Sequence, residues 1–353
     1  MTGVQTCALP IWTALWSLPS WRHTLLATGL TLALAACGGS GGESGDGERL
    51  GLDSADTAEL QTHDRTKAGP TQAGQRRPGA QNTGTSSQPT ATAAASNHPR
   101  WTLTSPAEAS RFLAQASYGS SPKDIKALTG RTANEWIETQ FSRPATSLLN
   151  TMRYWQQRSG KAITLTDAHN AWWYSTVQQD QLRQRVAFAL SQIFVVSTNG
   201  DVSHFPKGIA SYYDMLARNA FGNFRQLLED VTLHPMMGVY LTHIGNHKER
   251  FDSTGKLTQA PDENYAREVM QLFTIGLEQL NQDGTPKKDA QGRPIPTYSN
   301  NDVIGLARVF TGWSWNGGRL THECFFRAGY CAENTNERET RPMVAYDQYH
   351  STR

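Results

Sequence analysis

Cysteine is nearly absent, with four residues in 353, and charge is sparse and balanced, leaving a formal net charge of +2. A chain this poor in cysteine is not held together by a dense disulfide framework. No stretch gathers Lys or Arg onto one stripe, so nothing supports nucleic-acid binding. Beyond a glycine-rich segment near the N-terminus, no Gly-x-Ser-x-Gly elbow and no phosphate loop occurs, which removes the commonest sequence signs of a serine hydrolase and of a nucleotide-binding fold. Long alternation of Val, Ile and Thr is also missing, so a large sheet is not expected.

What is present divides by composition. Residues 1–11, Met1 to Ile11, resemble a translated sequencing adapter read from a GTG start, and this removes Cys7 from consideration. Over 12–37 the chain reads as a signal peptide: a basic flank at Arg22-His23, then an apolar run from Leu25 to Ala36 too short for a permanent span. The run ends in Leu34-Ala35-Ala36-Cys37, which resembles a bacterial lipobox. That resemblance implies cleavage before Cys37, a diacylglycerol on its sulfur and hence a membrane partner. With Gly38 rather than Asp at the next position, the outer membrane is the expected location. Residues 38–99, rich in Gly, Ser, Thr, Ala, Gln and Pro, cannot bury enough surface to offset ordering entropy, and are expected to be a disordered tether. Such a linker reaches about 40–50 Å on average.

From residue 100 to 353 the sequence predicts a mainly α, multi-helix globular domain with a small hairpin insertion near 280–298. Helix starts are written repeatedly. Ser105-Pro106-Ala107-Glu108 and Thr132-Ala133-Asn134-Glu135 are capping boxes, and Ser121-Pro122-Lys123-Asp124 is a looser one. Apolar stripes at helical spacing follow at Val186, Ala189, Leu190, Ile193 and Phe194, at Phe224, Leu227, Leu228 and Val231, and at Met237, Tyr240, Leu241 and Ile244. The turns Asn281-Gln282-Asp283-Gly284-Thr285 and Asp289-Ala290-Gln291-Gly292-Arg293-Pro294 favour a surface hairpin over a calcium loop, because the full EF-hand spacing is missing.

The most organised stretch runs from Pro261 to Gly276. Asp262 can cap the first free N–H groups and Gly276 is a stop signal. Tyr265, Ala266, Val269, Met270, Leu272 and Phe273 make an apolar side. Glu263, Asn264, Arg267, Glu268 and Gln271 make a polar side without lysine. Glu263–Arg267 and Asn264–Glu268 are four apart and can touch. A rigid guanidinium fork between carboxylates suits a fixed network, read either as structural ion pairing between helices or as a polar site.

This stretch, with Tyr298-Ser299-Asn300-Asn301-Asp302-Val303 through Ala307-Arg308-Val309-Phe310-Thr311-Gly312-Trp313, resembles the two motifs of the DUF1800 family, a large bacterial family. Asp262 stands where the family more often has Asn, and Gln271 where it more often has Glu; the second change removes a carboxylate. The resemblance brings no activity with it and no cofactor. It implies that the chain is cut short at its C-terminus, since His350-Ser351-Thr352 is similar to the start of a further segment, as the adapter-like residues 1–11 imply at the N-terminus, and it points to an exported partner protein.

The candidate polar site is therefore Glu263, Asn264, Arg267, Glu268, Asp302 and Arg308. Asp302 is most simply a helix cap, and Arg308 can meet Glu263 or Glu268 if the two motif helices pack. Carboxylates so placed should stay ionised, which suits binding better than proton donation. His243 and His247 would share a helix face as metal ligands do, but no Glu completes a zinc-peptidase motif and Gly245 breaks the helix, so exposed or capping histidines are expected and no metal is assigned. Trp172-Trp173, Trp313 and Trp315 invite a carbohydrate reading, with core packing the expectation. Cys324 and Cys331 are expected to close a local disulfide in an exported protein; their spacing to His322 and His350 fits no metal pattern. Two function classes remain: a non-enzymatic envelope or surface factor acting with a partner, which is preferred, and an envelope or extracellular hydrolase-like enzyme centred on the motif carboxylates.

Overall fold

A computed structural model describes residues 101–317, 320–327 and 337–352. The readings made for 1–11, 12–37 with Cys37, and 38–99 lie outside the described residues, as does Cys331.

The described chain is mainly α, as its capping signals predict. Helices α1 (Pro106–Ala116), α2 (Pro122–Leu128) and α3 (Ala133–Phe141) begin at Ser105, Ser121 and Thr132, whose hydroxyls accept the N–H groups of Glu108, Asp124 and Glu135. They enclose a small core of Leu103, Ala109, Phe112, Leu113, Leu128 and Ala133, closed by edge-to-face contacts of Phe112 with Trp101 and Trp136. Helices α4 (Leu148–Ser159), α5 (Leu165–Ser175), α6 (Gln181–Ile193), α7 (Pro206–Arg218), α8 (Phe224–Leu233) and α9 (Pro235–Tyr240) build the main core.

The centre of that core is α7. Ile209, Ala210, Tyr212, Met215, Leu216 and Ala217 are all buried, and α4, α5, α6, α8 and α9 pack around it. Its one buried acid, Asp214, caps a neighbour: it accepts from the Ser147 hydroxyl at 2.6 Å and from the N–H groups of Leu148 and Leu149 at 2.7 and 3.2 Å, at the start of α4. Buried polar groups persist when paired in this way.

Two predicted stripes are displaced. On α6 the buried residues are Gln184, Ala187 and Ser191; Phe194, just past its end, is core and Leu190 packs on that core as expected, while Ile193 is half exposed. Gln184 is drawn inward because its amide reaches buried Asp180 at 2.8 Å. The stripe expected to run through Ile244 stops at Tyr240, because Thr242 adopts φ 61° and ends the helix.

Strands are short. β1 (Arg250–Phe251) and β2 (Leu257–Gln259) form one antiparallel pair; β3 (Trp313–Ser314) and β4 (Val344–Ala345) form another. The predicted insertion is more than a hairpin. Its two turns are an eight-residue repeat, Asn281–Lys288 and Asp289–Pro296, with Gly and Pro at matching places. Gln279 donates to the Ile295 carbonyl at 2.9 Å, Ile295 to Lys287 at 3.0 Å and Lys287 to Gln279 at 2.7 Å, so three segments close a triangle. Within each turn the first N–H reaches the carbonyl four residues on and the glycine N–H returns to the first carbonyl, at Asn281, at Asp289 and again at Asp252 between β1 and β2. The acids in these turns, Asp252, Asp283 and Asp289, accept N–H groups of their own turns.

The signature helix, α10 (Asn264–Glu268), runs into a π turn, Val269–Phe273. It packs on α11 (Asn300–Val309) through Ala266, Met270, Val303 and Ala307. A last short helix, α12 (His322–Phe326), leans on β3.

Candidate functional site

The entrance of the signature helix is fixed by side chains. Asp262 accepts from the Asn264 N–H at 2.8 Å and from the Thr242 hydroxyl at 3.1 Å, so it caps as expected. The Asn246 side chain grips the backbone of the same residue: its Oδ1 accepts the Asp262 N–H at 2.9 Å, and its Nδ2 donates to the Asp262 carbonyl at 3.1 Å. One turn on, buried Tyr265 stacks on His243 at 3.9 Å and 19° and meets Phe310 edge-on. The Thr232 hydroxyl donates to Leu228, so Tyr265 donates to Thr232, at 2.7 Å. Burial holds the Tyr265 phenol well above its ordinary range. The π turn closes with the Thr274 hydroxyl on the Val269 carbonyl at 2.6 Å, and Gly276, at φ 72°, donates to Met270. π turns recur at functional sites.

The predicted polar residues do not form one cluster. Glu263 pairs with Arg267 at 2.6 Å, and Arg267 also donates to Asn300 at 3.1 Å, tying α10 to the start of α11. Asn264 reaches Thr242 at 3.4 Å rather than Glu268. Asp302 is a cap: the Ser299 N–H and hydroxyl both donate to it at 2.7 Å, and those bonds lower its pKa.

Arg308 is the clear correction. Although the motif helices pack, its guanidinium pairs at 3.2 Å with Glu249, whose side chain is 6% exposed, and not with Glu263 or Glu268. Glu249 lies in the segment between α9 and β1, outside both motifs, and no local pattern marked it. Among the described residues, Glu268 therefore has no guanidinium partner. Its Oε2 is buried without a hydrogen bond, and burial raises its pKa. The structure gives Glu268 no cation to hold its charge, where the expectation paired both motif carboxylates with guanidinium groups.

The remaining candidates scatter. His243 and His247 share no helix and are buried rather than exposed; the first donates Nε2–H to Thr232 at 2.9 Å, the second bonds the Lys248 carbonyl at 2.7 Å. His322 bonds Tyr349, and His350 donates to the Thr311 carbonyl at 2.9 Å. Among the described residues, no three His, Cys, Asp or Glu side chains are grouped to hold a metal. Cys324 is fully buried, its Sγ 3.2 Å from the Tyr346 hydroxyl. Of the tryptophans, Trp315 is core, Trp172 and Trp313 are half-buried, and Trp173 is 66% exposed.

A family model described as protein of unknown function (DUF1800) matches residues 111–351, which takes in the signature helix, α11 and the segments that hold them. The chain belongs to the DUF1800 family. Neither a curated protein nor a solved structure matches it. The DUF1800 signature is thus, in this chain, an anchored helix with one paired carboxylate, Glu263, and one desolvated carboxylate, Glu268. Among the described residues, no helix is long and apolar enough to cross a membrane.

Proposed function

We propose that this chain is a lipid-anchored protein of the bacterial envelope, held through Cys37 with the outer membrane as its site, and that it acts non-enzymatically with an exported protein partner. The observation that supports a partner is the surface just past the signature helix. Leu272, Ile275, Leu277 and Leu280, four large aliphatic residues within nine positions, are each more than half exposed. Single exposed leucines need no explanation, but a run of them beside the family's most organised motif marks an interaction surface. In an exported setting, Cys324 and Cys331 close a disulfide; thiol labelling of the denatured chain should then require prior reduction.

The test uses the full chain in a bacterial host with two membranes. Labelled palmitate is expected to enter the protein and to be lost with Cys37→Ala. A photo-crosslinker at position 277 is expected to trap one envelope protein, and Leu272→Asp with Leu280→Asp to abolish the adduct. Absence of lipid label, or an adduct unchanged by both substitutions, overturns the proposal.

One observation favours the second reading, an enzyme acting on an envelope or extracellular polymer. The buried, unpartnered Oε2 of Glu268 and its raised pKa are what a general acid requires. Glu268→Gln separates the two. If the variant melts at an equal or higher temperature and the protein loses a bound ligand or an activity, the site reading holds. If it only loses stability, the carboxylate is structural.

A further inference from the structure

Between α5 and α7, on the segment that leaves α6, lies a cavity of about 420 Å³. Its lining carries no Asp, Glu, Lys or Arg: an aliphatic floor that includes Val195, Val196 and Ile209 is joined by aromatic and polar side chains, Trp172, Trp173 and His169 from α5, Ser197 and Thr198 from the segment, and Tyr213 from α7. The volume falls in the range of small-ligand sites, about 300–1,000 Å³.

The tryptophan pair is held in place from behind. Trp172 sits edge-on to Tyr118 at 5.8 Å and packs on Phe188 at 5.9 Å. Trp173 stands edge-on to Trp172, with centroids 4.8 Å apart and planes at 80°. A large indole left 66% exposed yet braced by its neighbour offers a preorganised apolar face. Around it, the Thr198 and Tyr213 hydroxyls, the His169 ring and both indole N–H groups make no hydrogen bond to other described residues, so their polar capacity is available to a ligand.

We propose that this cavity binds a neutral saccharide. A pyranose presents an apolar C–H face that matches the electron-rich face of the Trp173 indole, and a rim of hydroxyls that match Thr198, Tyr213, Ser197 and His169. The absence of charged lining selects against anionic sugars, whose carboxylate would lose its hydration without gaining a cation. An apolar peptide or an acyl chain would leave that polar rim unpaired. The site is separate from the signature helix and does not depend on its role.

Titration of the full chain with neutral β-linked glucose and N-acetylglucosamine oligosaccharides, read by tryptophan fluorescence and calorimetry, tests this. Saturable binding is expected, weakened on the order of tenfold or more by Trp173→Ala and measurably by Thr198→Val. Trp101→Ala, at another exposed tryptophan outside the cavity, should bind as wild type. Helical circular dichroism confirms that each variant is folded. A hexuronate oligosaccharide should bind more weakly than its neutral counterpart. The proposal is overturned if no neutral saccharide binds the folded protein, if Trp173→Ala binds as tightly as wild type, or if an apolar peptide or fatty acid saturates the cavity and saccharides do not displace it.

Discussion

His243 is kept neutral by the contacts that lock the signature helix. Its Nε2–H is committed to the Thr232 carbonyl, so Nδ1 carries the lone pair, and that nitrogen is buried without a partner. A second proton would sit there uncompensated, and burial lowers the pKa to about 4. His234 is lowered further, to about 3, by burial and then by Arg218. It also caps α9, its Nδ1 accepting the Met236 N–H at 3.2 Å, so protonation would break the cap as well. Both folded values lie below the unfolded value near 6.5, so the unfolded chain binds more protons as the pH falls. The stability these residues contribute is complete above about pH 6.5 and drains away toward pH 4 and below. At pH 5 each deficit amounts to roughly 2 kcal/mol. Asp214 works in the opposite sense, since burial raises it to about 6 and favours the folded state as it protonates. Urea unfolding at pH 7.5 and 5.0 on wild type and His243→Phe isolates the histidine. The variant should lose about 2 kcal/mol less than wild type between the two pH values. Equal losses would show that His243 is not held neutral.

At the scale of elements, two glycines with the same left-handed backbone have different work. Gly276 ends the signature helix at φ 72°, and a Cβ there would meet nothing within 4 Å. Gly312 follows α11 at φ 82°, and a Cβ would lie 3.0 Å from the His350 backbone nitrogen and Cβ. Its N–H donates to the Asn246 carbonyl at 2.8 Å and its carbonyl accepts from Tyr346 at 2.7 Å, so it joins the helix-entrance clamp to the last described segment. Gly276→Ala should therefore cost only the conformational penalty, about 1 kcal/mol. Gly312→Ala adds a clash with backbone and should cost about 3 kcal/mol, read from chemical denaturation. Equal costs would mean that the close approach relaxes freely. These elements also mark what was legible. Helix starts were written locally, so Ser105, Ser121, Thr132 and Asp302 could be read as caps from the sequence. The far face of the signature helix was misread: a uniform helical period puts Leu272 with Phe273, but the π turn widens the spiral and carries Leu272 into solvent. The Arg308–Glu249 pair was illegible for a different cause. It joins residues 59 positions apart, and no local spacing encodes such a contact.

Among the described residues, burial is concentrated around α7, and the eight-residue repeat is, with the β1–β2 hairpin, the most exposed part. Residues of α7 contact helices on nearly every side, and its amides can exchange only when the main core opens. The segment 277–297 is held differently. Its triangle of backbone bonds encloses no large buried side chain, and most of its residues are exposed. The α1–α3 layer has its own small core and reaches the rest through α6 and through Phe141 on Phe221. A structure arranged in this way should open in steps rather than at once. Native-state hydrogen exchange read by mass spectrometry on the full chain should therefore rank three levels. Segment 277–297 should exchange first, α1–α3 next, and α7 with α4 at the rate of global unfolding. The signature helix makes the ranking informative. If the anchoring of Asp262 by Asn246 and of Tyr265 by His243 fixes it to the main core, α10 should exchange with α7. If it instead exchanges with 277–297, the motif opens together with the apolar segment that follows it, and a partner docking on Leu272 to Leu280 would slow both at the same time.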